Sequence, residues 1–197
     1  MATNEYHFIT RWRLEGRVEE IADIIGDARD LARWWPSVYL EVRELDPGDA
    51  RGLGKRIDLY TKGWLPYTLR WQFRITEIAS NGFTLEATGD FVGRGIWTFE
   101  QDGQWAIVTY DWKIRADKPL LRYLSFIMKP IFAANHRWAM AQGERSLKLE
   151  LARRHAVTPD ELARIPAPPG PTTSSSLPLL IGFAATLALA YALLKRR

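Results

Sequence analysis

Four stretches of this chain alternate apolar and polar residues with a period of two, and that pattern constrains the fold more than any other feature. From Tyr6, one face reads Tyr6, Phe8, Thr10, Trp12 and Leu14, the other His7, Ile9, Arg11 and Arg13. Tyr67, Leu69, Trp71, Phe73 and Ile75 alternate with Thr68, Arg70, Gln72, Arg74 and Thr76. Phe83, Leu85, Ala87 and Gly89 alternate with Thr84, Glu86 and Thr88, and Ala106, Val108, Tyr110, Trp112 and Ile114 with Ile107, Thr109, Asp111, Lys113 and Arg115. Successive side chains of a strand point to opposite faces, so one dry and one wet face indicates an antiparallel sheet covered on one side. Shorter strands are predicted at Val38–Leu45, Lys55–Thr61 and Gly95–Glu100, with Asn81-Gly82 and Asp102-Gly103 as hairpin turns between strands.

Two places break to a helical period. Arg17–Ile25 and Ala28–Trp35 carry apolar residues at helical spacing and stop before Pro36, whose ring disfavours helix in the preceding residue. A long helix is predicted from Pro119 to about Arg154, with Pro130 expected to kink or break it. Beyond that point Phe132, His136, Met140, Gly143, Leu147 and Leu151 recur at three- and four-residue steps and share one face. The order of elements predicts an α+β fold in which a curved antiparallel sheet wraps around a long C-terminal helix.

The segments DLARWWPSV, LPYTLRWQFRITEI, GFTLEATGDFVGRGIWTFE and NHRWAMAQGERSLKLEL, in that order, carry a family resemblance. The chain resembles the SRPBCC superfamily, specifically its polyketide cyclase/dehydrase and lipid-transport branch with the START-like helix-grip fold, over about residues 3–155. The resemblance implies a deep cavity for a hydrophobic ligand between sheet and last helix. Members bind lipids, sterols, quinones or polyketides, and a minority catalyse cyclisation and dehydration. Fold alone does not choose among these.

The inward phases name the candidate ligand-binding residues. They are Trp12, Tyr67, Leu69, Trp71, Phe73, Phe83, Leu85, Trp97, Tyr110 and Trp112 on strands, and Phe132, His136 and Met140 on the last helix. Tryptophans here either form an aromatic wall against an apolar ligand or simply fill the core. Of Trp12, Trp71, Trp97 and Trp112, about half are expected to face open cavity. Tyr67 and Tyr110 are the polar handles among them. His136 alone of the three histidines shares the inward helix face, where it serves as a proton donor, a polar anchor or a core residue. No partner acid is identifiable, so no catalytic residue is assigned. With no cysteine and three histidines, a disulfide framework, thiol catalysis and a zinc site are excluded or disfavoured, and no metal or cofactor is expected. The glycines around Asp90 superficially suggest a phosphate loop, but no helix follows, so a turn or strand bend is expected. Arg11, Arg13, Arg70 and Arg74 are expected on a solvated outer face with Glu77 and Glu86.

The C-terminus is of another kind. Leu177–Leu194 is eighteen uncharged residues, roughly 27 Å as a helix, closed by Lys195-Arg196-Arg197. It is expected to be a transmembrane helix. Residues 156–176 are rich in proline and serine and are expected to be an extended tether. The terminal basic residues favour the cytoplasmic side for that end, whereas the N-terminus lacks an apolar export signal. A tail-anchored protein with its domain, residues 1–155, in the cytoplasm is the expectation that follows. Leu120–Met128, apolar but too short to span, is expected to cover the cavity mouth or dip into the membrane interface. Arg164, Lys195, Arg196 and Arg197 against Asp160 and Glu161 leave two of the four net positive charges beyond residue 155. The domain itself is nearly balanced, which argues against nucleic acid as a partner.

Two functions are consistent with these residues. One is membrane-tethered binding or transport of a hydrophobic ligand, whether lipid, quinone or polyketide-like. The alternative is a cyclase/dehydrase-type enzyme acting on an aromatic or polyketide substrate, with Tyr110 and His136 as positioned polar groups. A third, simpler role is an interaction module whose tryptophans fill its own cavity.

Overall fold

The structure, a computed structural model, describes residues 5–116 and 119–173, and of residues 116 and 119–128 the backbone alone. Seven antiparallel strands form one curved sheet: β1 (Glu5–Glu15), β2 (Tyr39–Asp46), β3 (Arg56–Lys62), β4 (Thr68–Ala79), β5 (Gly82–Gly89), β6 (Phe91–Asp102) and β7 (Trp105–Ala116). The spatial order is β1-β7-β6-β5-β4-β3-β2, so the N-terminal strand pairs with the last one and every other neighbour is a hairpin partner. Between β1 and β2 stand α1 (Val18–Gly26), a 3-10 turn at Ala28–Asp30, and α2 (Leu31–Trp34). After β7 comes α3 (Pro119–His155), then a short α4 (Pro159–Arg164).

Period-two alternation places the predicted inward residues in the core. Trp12, Leu14, Ile57, Leu59, Val108 and Trp112 are buried from the sheet, as are Ile21, Ile24 and Ile25 from α1 and Met140, Leu147 and Leu151 from α3. Burial of this apolar layer drives the sheet onto α3. Two close approaches need glycine. A Cβ at Gly143 would stand 2.6 Å from Trp35 Cε2, so its absence lets the indole lie against α3. At Gly89, φ is +107° and a Cβ would meet the Arg70 carbonyl at 2.9 Å. Gly89 ends β5 just before β6 begins, and the next residue, Asp90, accepts from the Arg70 N–H at 3.0 Å.

One buried carboxylate ties the helices together. Glu150 on α3 accepts from both Arg33 guanidinium nitrogens at 2.8 Å, and from Arg154 Nε at 3.3 Å. Arg33 also reaches Asp30 at 2.8 Å. Burial of Glu150 is tolerable because its charge is matched and its oxygens accept several bonds.

Several expectations are corrected. β6 begins at Phe91 rather than Gly95, because Phe91–Arg94 pair with Lys113–Ala116 of β7. The first short helix is shifted by one residue from the prediction, and the second opens as a 3-10 turn and ends at Trp34. α3 does not break at Pro130: it runs through that residue as a single helix of 37 residues. A proline removes one backbone hydrogen bond, and the packing of α3 against the sheet outweighs that local loss. Residues 156–173 are not a free tether. Thr158 accepts from the Glu161 N–H at 3.2 Å while Glu161 reaches back to the Thr158 N–H at 3.3 Å, a capping box with Pro159 in the first turn. The outer arginines pair differently from the expectation: Arg70 with Asp58 and Glu41, and Glu77 with Arg94. Among the described residues no helix is long and apolar enough to cross a membrane. The anchor expected at 177–194 and the basic end at 195–197 lie outside the described residues, and Leu120–Met128 is described only as helical backbone.

Candidate functional site

The concave face of the sheet and the middle of α3 bound a half-open cavity of about 130 Å³. β7 contributes Tyr110, Trp112 and Ile114, β4 Trp71, β6 Phe91, and β1 Phe8. Lys62, Gly63 and Tyr67 come from the end of β3 and the following loop, and Phe132, Asn135, His136, Ala139 and Met140 from α3. The rings stack on one another. Tyr110 lies between Trp97 and Trp112 at centroid distances of 4.0 and 5.5 Å, and Trp71 meets Trp112 and Phe91, each at 5.8 Å. Such offset and edge contacts are individually favourable and leave little empty space.

This cavity is smaller than the resemblance implies. Most pockets for drug-sized ligands hold roughly 300–1,000 Å³, whereas here Trp12 packs against both Trp35 and Trp97 in the interior. Trp97, Phe73, Phe83 and Leu85 face instead a void of about 40 Å³ deeper in the sheet. Trp12 is sealed in the core at 2% exposure, and Leu69 is also buried there. Of the thirteen residues the sequence names, Tyr67, Trp71, Tyr110, Trp112, Phe132, His136 and Met140 thus come together around this cavity. Phe8, Trp35, Tyr39 and Asn135 line it too and escape sequence reasoning. Phe8 sits on a correctly phased strand face and was legible in principle. Trp35 and Tyr39 flank a proline-terminated turn, where no periodicity shows which way a side chain points.

A larger concavity, about 570 Å³, opens at the other end of the sheet between α1, the β2–β3 loop and the β4–β5 turn. Phe73, Ile75, Phe83 and Phe99 form its floor and Glu19, Asp23, Arg51 and Lys55 stand on its rim. It is an open groove with charge of both signs at the edge. The stacked aromatic rings and the buried His136 belong to the smaller cavity.

The polar groups of that cavity are few. His136 stacks on Phe8 with centroids 4.2 Å apart and planes 15° apart, and its Nε2 is buried without a hydrogen-bond partner. Burial, helped by the neighbouring Arg137 charge, lowers its pKa from an ordinary 6.5 to about 4. The ring is therefore neutral near pH 7, with one nitrogen a donor and the other an acceptor. Burial pushes the phenols of Tyr39, Tyr67 and Tyr110 well above the usual range, so all three stay protonated. Asn135 is committed to structure: its Oδ1 accepts from the Trp64 and Leu65 N–H groups at 2.9 and 3.3 Å, fixing the β3–β4 loop on α3. Thr61 Oγ1 takes the Trp71 indole N–H at 3.1 Å and so holds that wall in place. The other histidines pair at the surface, His7 with Asp111 and His155 with Glu20, each at 2.9 Å.

No family model matches the chain. Among curated proteins it is similar to threonine–tRNA ligases of Rickettsia. That of Rickettsia rickettsii is 27% identical over 152 residues, covering 70% of this chain and 23% of the ligase. That of Rickettsia akari is 29% identical over 107 residues, covering 48% and 16%. The chain spans less than a quarter of the length of these relatives. Among solved structures it is similar to one from Thermus thermophilus, with a TM-score of 0.62, 14% identity, and coverage of 77% of this chain and 100% of that one. The Zhui aromatase/cyclase of a Streptomyces species gives a TM-score of 0.56 at 15% identity, covering 78% and 97%. The di-domain aromatase/cyclase StfQ of the steffimycin pathway gives 0.52 at 12% identity, covering 73% and 49%. At these identities the likeness is one of fold alone: a curved antiparallel sheet gripping a long helix.

Proposed function

We propose that the chain binds a hydrophobic small molecule through one aromatic or ring-sized group, inserted between the sheet and α3, and holds it at a membrane through its C-terminal segment. The observation that carries the reading is His136: a neutral imidazole with a sealed, unpartnered nitrogen inside a wall of aromatic rings. A buried polar atom without a partner costs roughly 1–3 kcal/mol, and a ligand oxygen or hydroxyl that bonds to it recovers that cost. Size supports a ring. An apolar cavity of about 150 Å³ is known to take benzene, and this one is about 130 Å³. A longer substituent extends past the half-exposed lining residues Lys62, Tyr67 and Phe132. The combination suits the ring of a quinone or polyphenol better than the acyl chains of a phospholipid.

The cyclase-type alternative draws on the aromatase/cyclase folds among the similar structures. General acid–base catalysis works best with a group titrating near the working pH. In this cavity the histidine is displaced downwards and the phenols upwards, so none is poised there. Binding is therefore the reading we favour.

The test is titration of the full chain with 4-methylphenol, followed by tryptophan fluorescence, for the parent and for Ala139→Leu. Saturable quenching in the parent that is lost when Leu fills the cavity supports the proposal. Absence of saturation in the parent, or equal binding in both, overturns it.

A further inference from the structure

The segment beyond α3 returns to the cavity mouth. α3 ends at His155, whose imidazole pairs with Glu20 of α1, at the far end of the domain from Asn135 and His136. Twenty helical residues separate Asn135 from His155, roughly 30 Å at 1.5 Å each. The chain then reverses. α4 is capped by Thr158, and Arg153 of α3 holds the carbonyl of Pro166. Ile165, Pro168 and Pro169 are half-buried. The strap ends on the loop after β3: Lys62 Nζ donates to the Thr172 carbonyl at 2.8 Å, and Thr172 Oγ1 donates to the Gly63 carbonyl at 3.2 Å. Lys62 and Gly63 both line the cavity, and Lys62 is the half-exposed one of the two. The proline-rich stretch is stiff and extended, at about 3.1 Å per residue, so it has the length to span that return.

Leu177 follows Thr172 by five residues, at most about 18 Å of extended chain. A free tether of the same composition would place it anywhere around the domain. The surface beside this point has an interfacial composition: Trp64, Pro66 and Tyr67 in the loop, Lys62 at its start, and Lys129 and exposed Ile131 on α3. Aromatic and lysine side chains of this kind favour the headgroup region of a bilayer. We infer that the strap is a positioning device which turns the cavity mouth toward the lipid bilayer, so that the ligand exchanges with the membrane and not with bulk water. This rests on the reading of residues 177–194 as a membrane anchor.

The chain has no cysteine, so single cysteines report position cleanly. Ile131→Cys is exposed on α3 next to the cavity-lining Phe132, and Asp102→Cys is at the β6–β7 turn, which meets Gly16 at the α1 end. Each full-length variant is labelled with a fluorophore and reconstituted in vesicles of phosphatidylcholine and phosphatidylglycerol carrying a headgroup quencher. Several-fold stronger quenching at 131 than at 102 is expected, and the difference collapses when Lys62→Met and Thr172→Val are added, while flotation with the vesicles persists. Equal quenching at the two positions in floating protein overturns the inference and leaves the anchor standing. A difference that survives the double substitution overturns the strap's role. A chain that fails to float overturns the anchor and the inference together.

Discussion

His136 lies flat on Phe8, ring centroids 4.2 Å apart and planes 15° from parallel, with its Nε2 sealed from both solvent and protein partners. Protonation would put a cation in a site that offers an aromatic face but no carboxylate. Desolvation outweighs the attraction of one ring face, which is worth roughly 0.5–2 kcal/mol. The imidazole stays neutral, and the protein's acid stability is linked to it.

Because the folded pKa, about 4, lies below the unfolded value of 6.5, the unfolded chain binds the extra proton first. The contribution of neutral His136 is fully present above pH 6.5 and is lost as pH falls toward 4, amounting to about 3 kcal/mol. Urea unfolding at a series of pH values should show this slope in the parent and a shallower one in His136→Phe. Identical slopes would contradict the assignment.

Gly143→Ala is expected to destabilise the fold although alanine is the better helix former. The helical preference contributes about 1 kcal/mol in alanine's favour, but its Cβ would lie 2.6 Å from Trp35 Cε2. Overpacking of this kind costs about 1–3 kcal/mol, and displacing a buried indole falls at the upper end. A net loss of about 2 kcal/mol follows from the two. In a Trp35→Leu background the same substitution should become neutral or stabilising, which thermal denaturation reads directly.

Arg33→Met leaves the buried Glu150 carboxylate with Arg154 alone, at 3.3 Å. Arg33 is half exposed, so solvent screens the pair, and its loss is expected to cost about 1–3 kcal/mol. Hydrogen bonding from Arg33 holds the Glu150 pKa down, so this stabilisation is present at neutral pH and fades as pH falls through the lowered pKa. The parent and Arg33→Met should therefore converge in stability on acidification. The double variant with Glu150→Met should recover much of the neutral-pH loss.

Thr158→Ala removes the side-chain half of the α4 capping box, worth about 1 kcal/mol. Since α4 is short and exposed, the effect should be local. Amide exchange should accelerate in residues 159–172 while protection of β7 stays unchanged. Uniform acceleration across the domain would mean that the strap is integral to global stability.

The legible parts of this fold were those set by local periodicity. Tyr6 to Leu14 and Ala106 to Ile114 alternate over a whole strand, and the two strands pair through an eleven-residue register from Glu5↔Arg115 to Glu15↔Trp105. Asn81 and Gly103 stand in turns for the reasons their residue types suggest. Thr158-Pro159-Asp160-Glu161 carried a helix-start signal as well, but proline-rich surroundings obscured it. The strap's docking was not legible, since it depends on Lys62 and Thr172, which are 110 positions apart.

By itself the sequence determined which side of each strand and helix turns inward, because side-chain direction follows from backbone period alone. It determined too that the interior would be aromatic and that the C-terminal segment differs in kind from the domain. Only the tertiary structure decided that Trp12 is sealed in the core while Trp71 and Trp112 line a cavity. The same holds for Gly143, which lets Trp35 narrow that cavity to the size of one ring, and for the proline-rich segment, which returns to the cavity mouth. Period fixes the face of a residue, whereas depth and free volume depend on how closely separate elements approach, and that is set by contacts between residues far apart in the chain.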